Sequence, residues 1–195
     1  GSDSLILDDR YIGMFKGHKG TENLLYLRGS KKRLNDMDRS LLDLFGRNIS
    51  IAFQNVELHQ EIENTQREIV YLLGEAVETR SKETGNHVKR VAEISKLLAL
   101  DMGLDEEEAE IIKLASPLHD LGKIGVPDAI LNKPGKHTPE EWEIMKGHAL
   151  LGYDMLRKSD RRILRAGALL ARDHHERWEG GGYPYNKKED EIHIY

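Results

Sequence analysis

His119-Asp120-Leu121-Gly122-Lys123 places two metal-ligand side chains side by side, then a glycine, then a lysine. The stretch sits within a run of helical signals. Ahead of it, Asp105 is placed to cap a helix whose first turn holds Glu106, Glu107 and Glu108, where the helix dipole favours acids. Ala109, Ile112, Leu114 and Ala115 form the expected buried face of that helix. Further upstream, His87 to Leu100 carries Val88, Val91, Ile94, Leu97 and Leu98 on one face, and Gly103 is placed to end the helix. Downstream, Thr138-Pro139-Glu140-Glu141 reads as an N-cap with proline at the first helical position and an acid three residues on. Residues 161–177 read as another helix, broken by Gly180-Gly181-Gly182, which favours a tight turn. The pattern is helical from about residue 68 onward. The expected fold class is therefore mainly α, a helical bundle.

The chemistry-bearing residues are distributed over that bundle. His174-His175 is a second adjacent pair, followed by Glu176, and His148 falls in the middle of the helix that starts at Thr138. Glu83 and His87 are four apart, so a helix through both would aim them at one point. Imidazole and carboxylate are ordinary ligands for iron, manganese and zinc. Two metals bridged by a carboxylate activate water and clamp both oxygens of an in-line phosphoryl displacement. Lys123 supplies a fixed positive charge suited to a phosphate. Drawing such ligands from several helices is how metal sites in bundles are built. Taken singly, each histidine is ordinarily a surface or hydrogen-bonded residue, and Glu83 with His87 reads as a solvated pair. The joint set is what points to a metal site. His18, His59, His137 and His193 fall outside it and read as surface or structural residues.

The front of the chain differs. Leu5-Ile6-Leu7, Tyr11-Ile12-Gly13-Met14-Phe15 and Asn23-Leu24-Leu25-Tyr26-Leu27 are short apolar runs punctuated by Gly17, Gly20 and Gly29, the pattern of three strands. Three short strands bury little core, so this part reads as the tail of a larger sheet domain. A long helix is expected over about 36–80, capped by Asn35 or Asp36. Leu42, Phe45, Ile49, Ala52 and Val56 alternate at steps of three and four along it, a coiled-coil seam that suggests a homodimer. Two packed helices within one domain are the alternative.

Composition excludes several classes. The formal net charge of −5 argues against a general nucleic-acid binder, which shows a basic face. Without cysteine there are no disulfides and no thiolate metal sites. No apolar run approaches a membrane span and the N-terminus lacks the regions of a signal peptide, so the expectation is a cytoplasmic location without a membrane. Neither a Walker-type phosphate loop nor a dinucleotide-binding glycine turn is present.

These residues together resemble a known family. His119-Asp120-Leu121-Gly122-Lys123 resembles the signature of HD phosphohydrolases. Gly182-Tyr183-Pro184, preceded by His174-His175-Glu176-Arg177-Trp178, resembles the second signature of the HD-GYP subfamily. The stretch Lys123-Ile124-Gly125-Val126-Pro127-Asp128, with Lys133-Pro134-Gly135 and Glu140-Glu141-Trp142-Glu143, is similar to it as well. The resemblance divides the chain into an HD-GYP helical domain over 67–195 and, over 1–66, the C-terminal part of a GAF-like sensory region with its exit helix.

The resemblance implies a cyclic di-GMP phosphodiesterase serving as output domain of a bacterial signalling protein, such as a response regulator. The products would be the linear dinucleotide and, after a second round, GMP. It implies two or three divalent metal ions, iron or manganese. Glu83, His87, His119, Asp120, His148, His174 and His175 match metal ligands, with Asp120 bridging. Asp120 and Lys123 would be catalytic, and Lys123 and Tyr183 would meet substrate, the GYP loop also being a contact for diguanylate cyclases. It further implies an aspartate ligand beyond Tyr195, so the helical domain is expected to be C-terminally incomplete here. Two rival readings stand beside it: a catalytically silent cyclic-dinucleotide-binding or protein-interaction module, and a hydrolase for another cyclic dinucleotide or a nucleotide phosphate.

Overall fold

The computed structural model describes residues 3–29, 33–81 and 86–195, and the chain divides into two compact units, Gly1–Thr65 and Gln66–Tyr195. Among the described residues, no helix is long and apolar enough to cross a membrane.

In the first unit the three apolar runs are three strands, β1 (Asp3–Leu7), β2 (Arg10–Lys16) and β3 (Glu22–Leu27), antiparallel in the order β1-β2-β3. Register is set by pairs such as Leu5 opposite Ile12 and Met14 opposite Leu24. Strand β2 alternates faces, with Tyr11, Gly13 and Phe15 buried. Helix α1 (Asp36–Arg80) covers that face, and is one unbroken element rather than two packed helices. Asn35 caps it: its Oδ1 accepts from the Asp38 amide at 2.9 Å, and Asp38 Oδ2 accepts from the Asn35 amide at 3.0 Å. Tyr11 donates to Asp43 Oδ1 at 2.6 Å, and Gln54 donates to the Lys16 carbonyl at 2.7 Å. The stripe of α1 turned to the sheet contains the buried residues Gly46 and Ser50. A Cβ on Gly46 would lie 2.0 Å from Phe15, so only glycine lets the helix seat on the aromatic strand. The proposed coiled-coil seam lies mostly beside this stripe: Phe45, Ala52 and Val56 are exposed, and Leu42 and Ile49 half-buried.

The second unit is built from the end of α1 with α2 (Asn86–Asp101), α3 (Glu106–Ala115), the short α4 (Asp128–Leu131), α5 (Pro139–Leu156) and α6 (Arg162–Asp173). Three 3-10 turns, Ser116–Leu118, Leu121–Gly125 and Glu189–Glu191, join or follow them. The caps read from sequence are present. Asp105 accepts from the Glu108 amide at 2.8 Å, and Thr138 forms a capping box with Glu141. Gly103 ends α2 with φ of 90°. One core cluster joins Val70, Val77, Leu118, Leu121, Leu156 and Ala168, and another joins Ile111, Ala115 and Ala166.

Three expectations need correction. On α2 the buried line is Val88, Ala92 and Ala99, while Ile94, Leu97 and Leu98 are exposed. Small alanines let α2 and α3 approach closely, and the larger residues are turned away. On α3, Ile111 is buried and Leu114 only partly so. Helix α6 ends at Asp173 rather than at 177, because the chain turns at His174 and the Glu176 amide folds back to the Asp173 carbonyl at 2.8 Å. That early stop sets the geometry of the candidate site.

Candidate metal centre

The adjacent His119 and Asp120 do not lie on a helix. They fill the corner between the turns Ser116–Leu118 and Leu121–Gly125. This corner is pressed against α5: a Cβ on Gly122 would fall 1.9 Å from the His148 carbonyl oxygen and 2.5 Å from the Gly152 nitrogen. Glycine at 122 thus allows backbone to meet backbone, and brings Asp120 up to His148. The stop of α6 at Asp173 puts His174 and His175 into a following turn that faces the same point.

Ligand-capable atoms of Asp120, His148, His174 and His175 all lie within 4.8 Å of one another. Asp120 Oδ1 is 3.4 Å from His148 Nε2 and 3.7 Å from His174 Nε2, and those two imidazole nitrogens are 3.3 Å apart. His119 Nε2 stands 3.1 Å from the other oxygen, Asp120 Oδ2, which also accepts from Lys123 Nζ at 2.7 Å. The rings are oriented from behind. Nδ1 of His119 donates to the Ser116 carbonyl at 2.8 Å, Nδ1 of His148 to the Met145 carbonyl at 2.7 Å, and Nδ1 of His174 to the Leu170 and Ala171 carbonyls at 3.1 and 3.0 Å. With the proton on Nδ1, the neutral ring of His148 turns an Nε2 lone pair inward, the usual support for a metal-bound histidine.

The electrostatics agree with that arrangement. Burial works to raise the Asp120 carboxyl, but His119 against Oδ2, the nearby His174 and the charge of Lys123 outweigh it and hold the group ionised, well below the usual carboxylate range. Burial lowers His148, and burial together with His174 and His148 pushes His175 down to about 3. Burial opposes the charged form of His119 too, yet the Asp120 carboxylate raises it. Asp120 Oδ1 is buried and has no hydrogen-bond partner among the described residues. An ionised, orphaned oxygen facing imidazole lone pairs is the arrangement a divalent cation resolves, and the donor set of oxygen and nitrogen suits one.

The remaining sequence candidates are placed as follows. His87 stands on the first turn of α2 with Nε2 3.9 Å from Oε1 of the buried Glu78, and is not one of the four converging residues. Glu83 lies outside the described residues. Tyr183 stacks on His175, ring centroids 4.4 Å apart and planes 23° apart, and burial with the Asp120 charge pushes its hydroxyl up to about 12. His137, read as structural, sits 2.8 Å from the Ile130 carbonyl through Nε2.

Sequence reasoning gave no role to four contributors. Glu176, noted as a nearby acid, uses both carboxylate oxygens to accept from the Tyr185 and Lys187 amides at 2.7 and 2.9 Å, fastening the loop that carries Tyr183. Asp173, buried, accepts from Arg172 at 2.7 Å and from Lys187 Nζ at 2.8 Å. Trp142 and Lys146 line a cavity of about 500 Å³ with His174, His175, Arg177 and Tyr183. The spacing of Trp142 and Lys146, one helical turn apart, was the available signal.

The HD domain model matches residues 71–195. The chain belongs to the HD domain family. A second model, a domain of unknown function (DUF3369), matches residues 2–62. The chain is 44% identical over 186 residues to the 3'3'-cGAMP-specific phosphodiesterase 2 of Vibrio cholerae, covering 95% of this chain and 35% of the relative. It is 41% identical over 169 residues to a cyclic di-GMP phosphodiesterase of Thermotoga maritima, covering 87% and 42%. It is 45% identical over 124 residues to the cyclic di-GMP phosphodiesterase response regulator RpfG of Xanthomonas campestris, covering 64% and 33%. The chain thus spans between a third and under half of the length of these relatives.

Proposed function

We propose that this HD domain is of the HD-GYP type and is the catalytic part of a metal-dependent phosphodiesterase that opens cyclic di-GMP to the linear dinucleotide. The observation that carries the proposal is the convergence of Asp120, His148, His174 and His175, with Lys123 hydrogen-bonded to the same carboxylate.

Two or three divalent ions, iron or manganese, are the proposed cofactors. When bound they supply an activated water and neutralise charge on the phosphate. His148, His174 and His175 would hold them as neutral imidazoles, with Asp120 as the shared carboxylate and His119, His87 and Glu83 completing the set. Lys123, within reach of Asp120, offers its ammonium to a non-bridging phosphate oxygen where charge develops in the transition state. Tyr183, backed by His175, closes the substrate side of the pocket.

The test is direct. Full-length protein loaded with iron or manganese should convert cyclic di-GMP to its linear form. If a known enzyme does so in the same assay and this protein does not, the catalytic reading fails, and a silent cyclic-dinucleotide-binding module replaces it. A second substrate reading rests on one observation: the relative that is 44% identical is named as specific for 3'3'-cGAMP. Competition between the two cyclic dinucleotides decides which is preferred.

We further infer that the domain boundary falls near residue 66, that residues 1–66 are a GAF-like sensory fragment with its exit helix, and that α1 pairs with a second copy. The exposed seam on α1 supports the last reading. A diguanylate cyclase is the proposed partner of the loop holding Tyr183.

A further inference from the structure

We infer that Trp142, with Tyr183 and Lys146, forms a nucleobase-binding subsite that sets substrate affinity; the inference rests on the phosphodiesterase reading above and extends it to a residue given no role in that reading. The cavity of about 500 Å³ is continuous with the metal centre, since His174 and His175 line it. Whatever is esterified to a phosphate held at that centre must therefore lie along the other walls. Those walls carry two aromatic rings and two cations, together with Glu176 and the backbone of Gly181 and Gly182.

The rings are held in place rather than loosely exposed. Tyr183 is backed by His175. Trp142 stands edge-on to Tyr183, centroids 6.0 Å apart and planes at 80°, and its other neighbour is His137, at 6.1 Å and 35°. His137 is itself fixed by the Ile130 carbonyl. Even so, Trp142 keeps 43% of its surface exposed. A large ring, positioned by its neighbours and left partly open beside a phosphate site, is a platform on which a base can stack. Lys146 lies one turn along α5 from Trp142, held by Glu143 at 2.7 Å, and Arg177 lines the same cavity. The acid in the wall, Glu176, has its oxygens engaged by two backbone amides, so its charge is partly neutralised towards an incoming phosphate. Aromatic faces combined with cations favour a nucleotide over a peptide or a lipid, and the larger π-face of a purine over that of a pyrimidine.

Residues 1–195 hold two tryptophans, Trp142 and Trp178, so the difference in emission between W178F and the W142F/W178F double variant isolates the Trp142 indole. In the full-length W178F protein, the expected result is saturable quenching of that emission by cyclic di-GMP, with or without metal. Turnover provides the second readout. W142A should raise KM roughly ten-fold with kcat little changed, as loss of one base stack implies, and W142F should restore most of the affinity. Equal falls in kcat and melting temperature, with KM unmoved, would mean that Trp142 only supports the loop, and would overturn the inference. So would calorimetric binding of the nucleotide to W178F without quenching. If wild type neither binds nor hydrolyses a cyclic dinucleotide, the phosphodiesterase reading itself falls and the subsite goes with it.

Discussion

Lys123 Nζ donates to Asp120 Oδ2 at 2.7 Å, while Oδ1 of the same carboxylate faces Nε2 of His148 at 3.4 Å. One carboxylate thus divides its two oxygens between a cation of the chain and the candidate metal position. The two partners should separate experimentally. D120A should lose bound metal and with it all turnover, measured by elemental analysis and product release. K123A removes the ammonium and its bond to Asp120 Oδ2 but leaves every candidate ligand in place. We expect its metal content to match wild type while kcat falls about 10²–10³-fold, the usual loss for one oriented donor at a developing charge. Loss of metal in K123A would assign the lysine to holding Asp120 in place.

Gly122 and Gly147 give a matched pair. A Cβ on Gly122 meets the His148 carbonyl at 1.9 Å and backbone does not yield as a side chain does, whereas a Cβ on Gly147 meets nothing within 4 Å. G122A should cost about 3 kcal/mol or more and displace Asp120 from His148, lowering both melting temperature and metal content. G147A, in the interior of α5, should be neutral or stabilise by about 0.5–1 kcal/mol. Thermal melts of the two variants read the difference. A stable G122A with full metal content would remove the close approach as the reason for glycine there.

How much of this was legible in the sequence follows from the range of the interactions. Caps at Asn35, Asp105 and Thr138 were readable because a cap acts within three residues of its own chain. The strands were readable from short apolar runs bounded by glycines, and α1 from its three- and four-residue spacing, though that spacing left two packed helices open. Of the seven ligand candidates named from sequence, Asp120, His148, His174 and His175 converge, with His119 beside Asp120, whereas His87 stands against Glu78 and Glu83 lies outside the described residues. What was hidden depends on which neighbour covers which face. Val88, Val91, Ile94, Leu97 and Leu98 look like one core stripe, and only the packed neighbours show that Val88 is buried together with Ala92 and Ala99 while Ile94, Leu97 and Leu98 are exposed. The end of α6 was hidden for a similar reason. Its stop accompanies Asp173 being tied to Lys187 and Glu176 to two later amides, contacts 9 to 14 residues away in sequence.

Asp173 also carries a pH dependence. Burial works to raise its carboxyl, but Arg172 and Lys187 prevail and hold it below its ordinary value. A folded-state pKa below the unfolded one means that the native state binds protons less readily. The stabilisation is therefore fully present above the ordinary carboxylate pKa of 3.8 and is lost as pH falls through the lower, folded value. D173N should melt lower than wild type at neutral pH, by about 3 kcal/mol for a broken buried pair, with the gap closing under strongly acid conditions. Chemical denaturation at several pH values checks it, and a gap that widens on acidification contradicts the assigned sign.

The seam on α1 yields the last prediction. Phe45 and Val56 are 54% and 67% exposed, and Leu41 and Leu44, their neighbours on the helix, are 67% and 56% exposed. Apolar residues recurring at steps of three and four on a solvent face are stable when a second helix covers them. Pairing two copies of α1 along this stripe buries them without disturbing the sheet-facing line of Gly46 and Ser50. F45E combined with I49E should therefore halve the mass seen by light scattering. Ile49 is half-buried, so this pair also strains the fold; F45E with V56E alters exposed positions only and should give the same halving with the circular dichroism of the helix retained. A wild type that already runs as a monomer, or variants whose mass does not change, would show that the stripe serves no self-association.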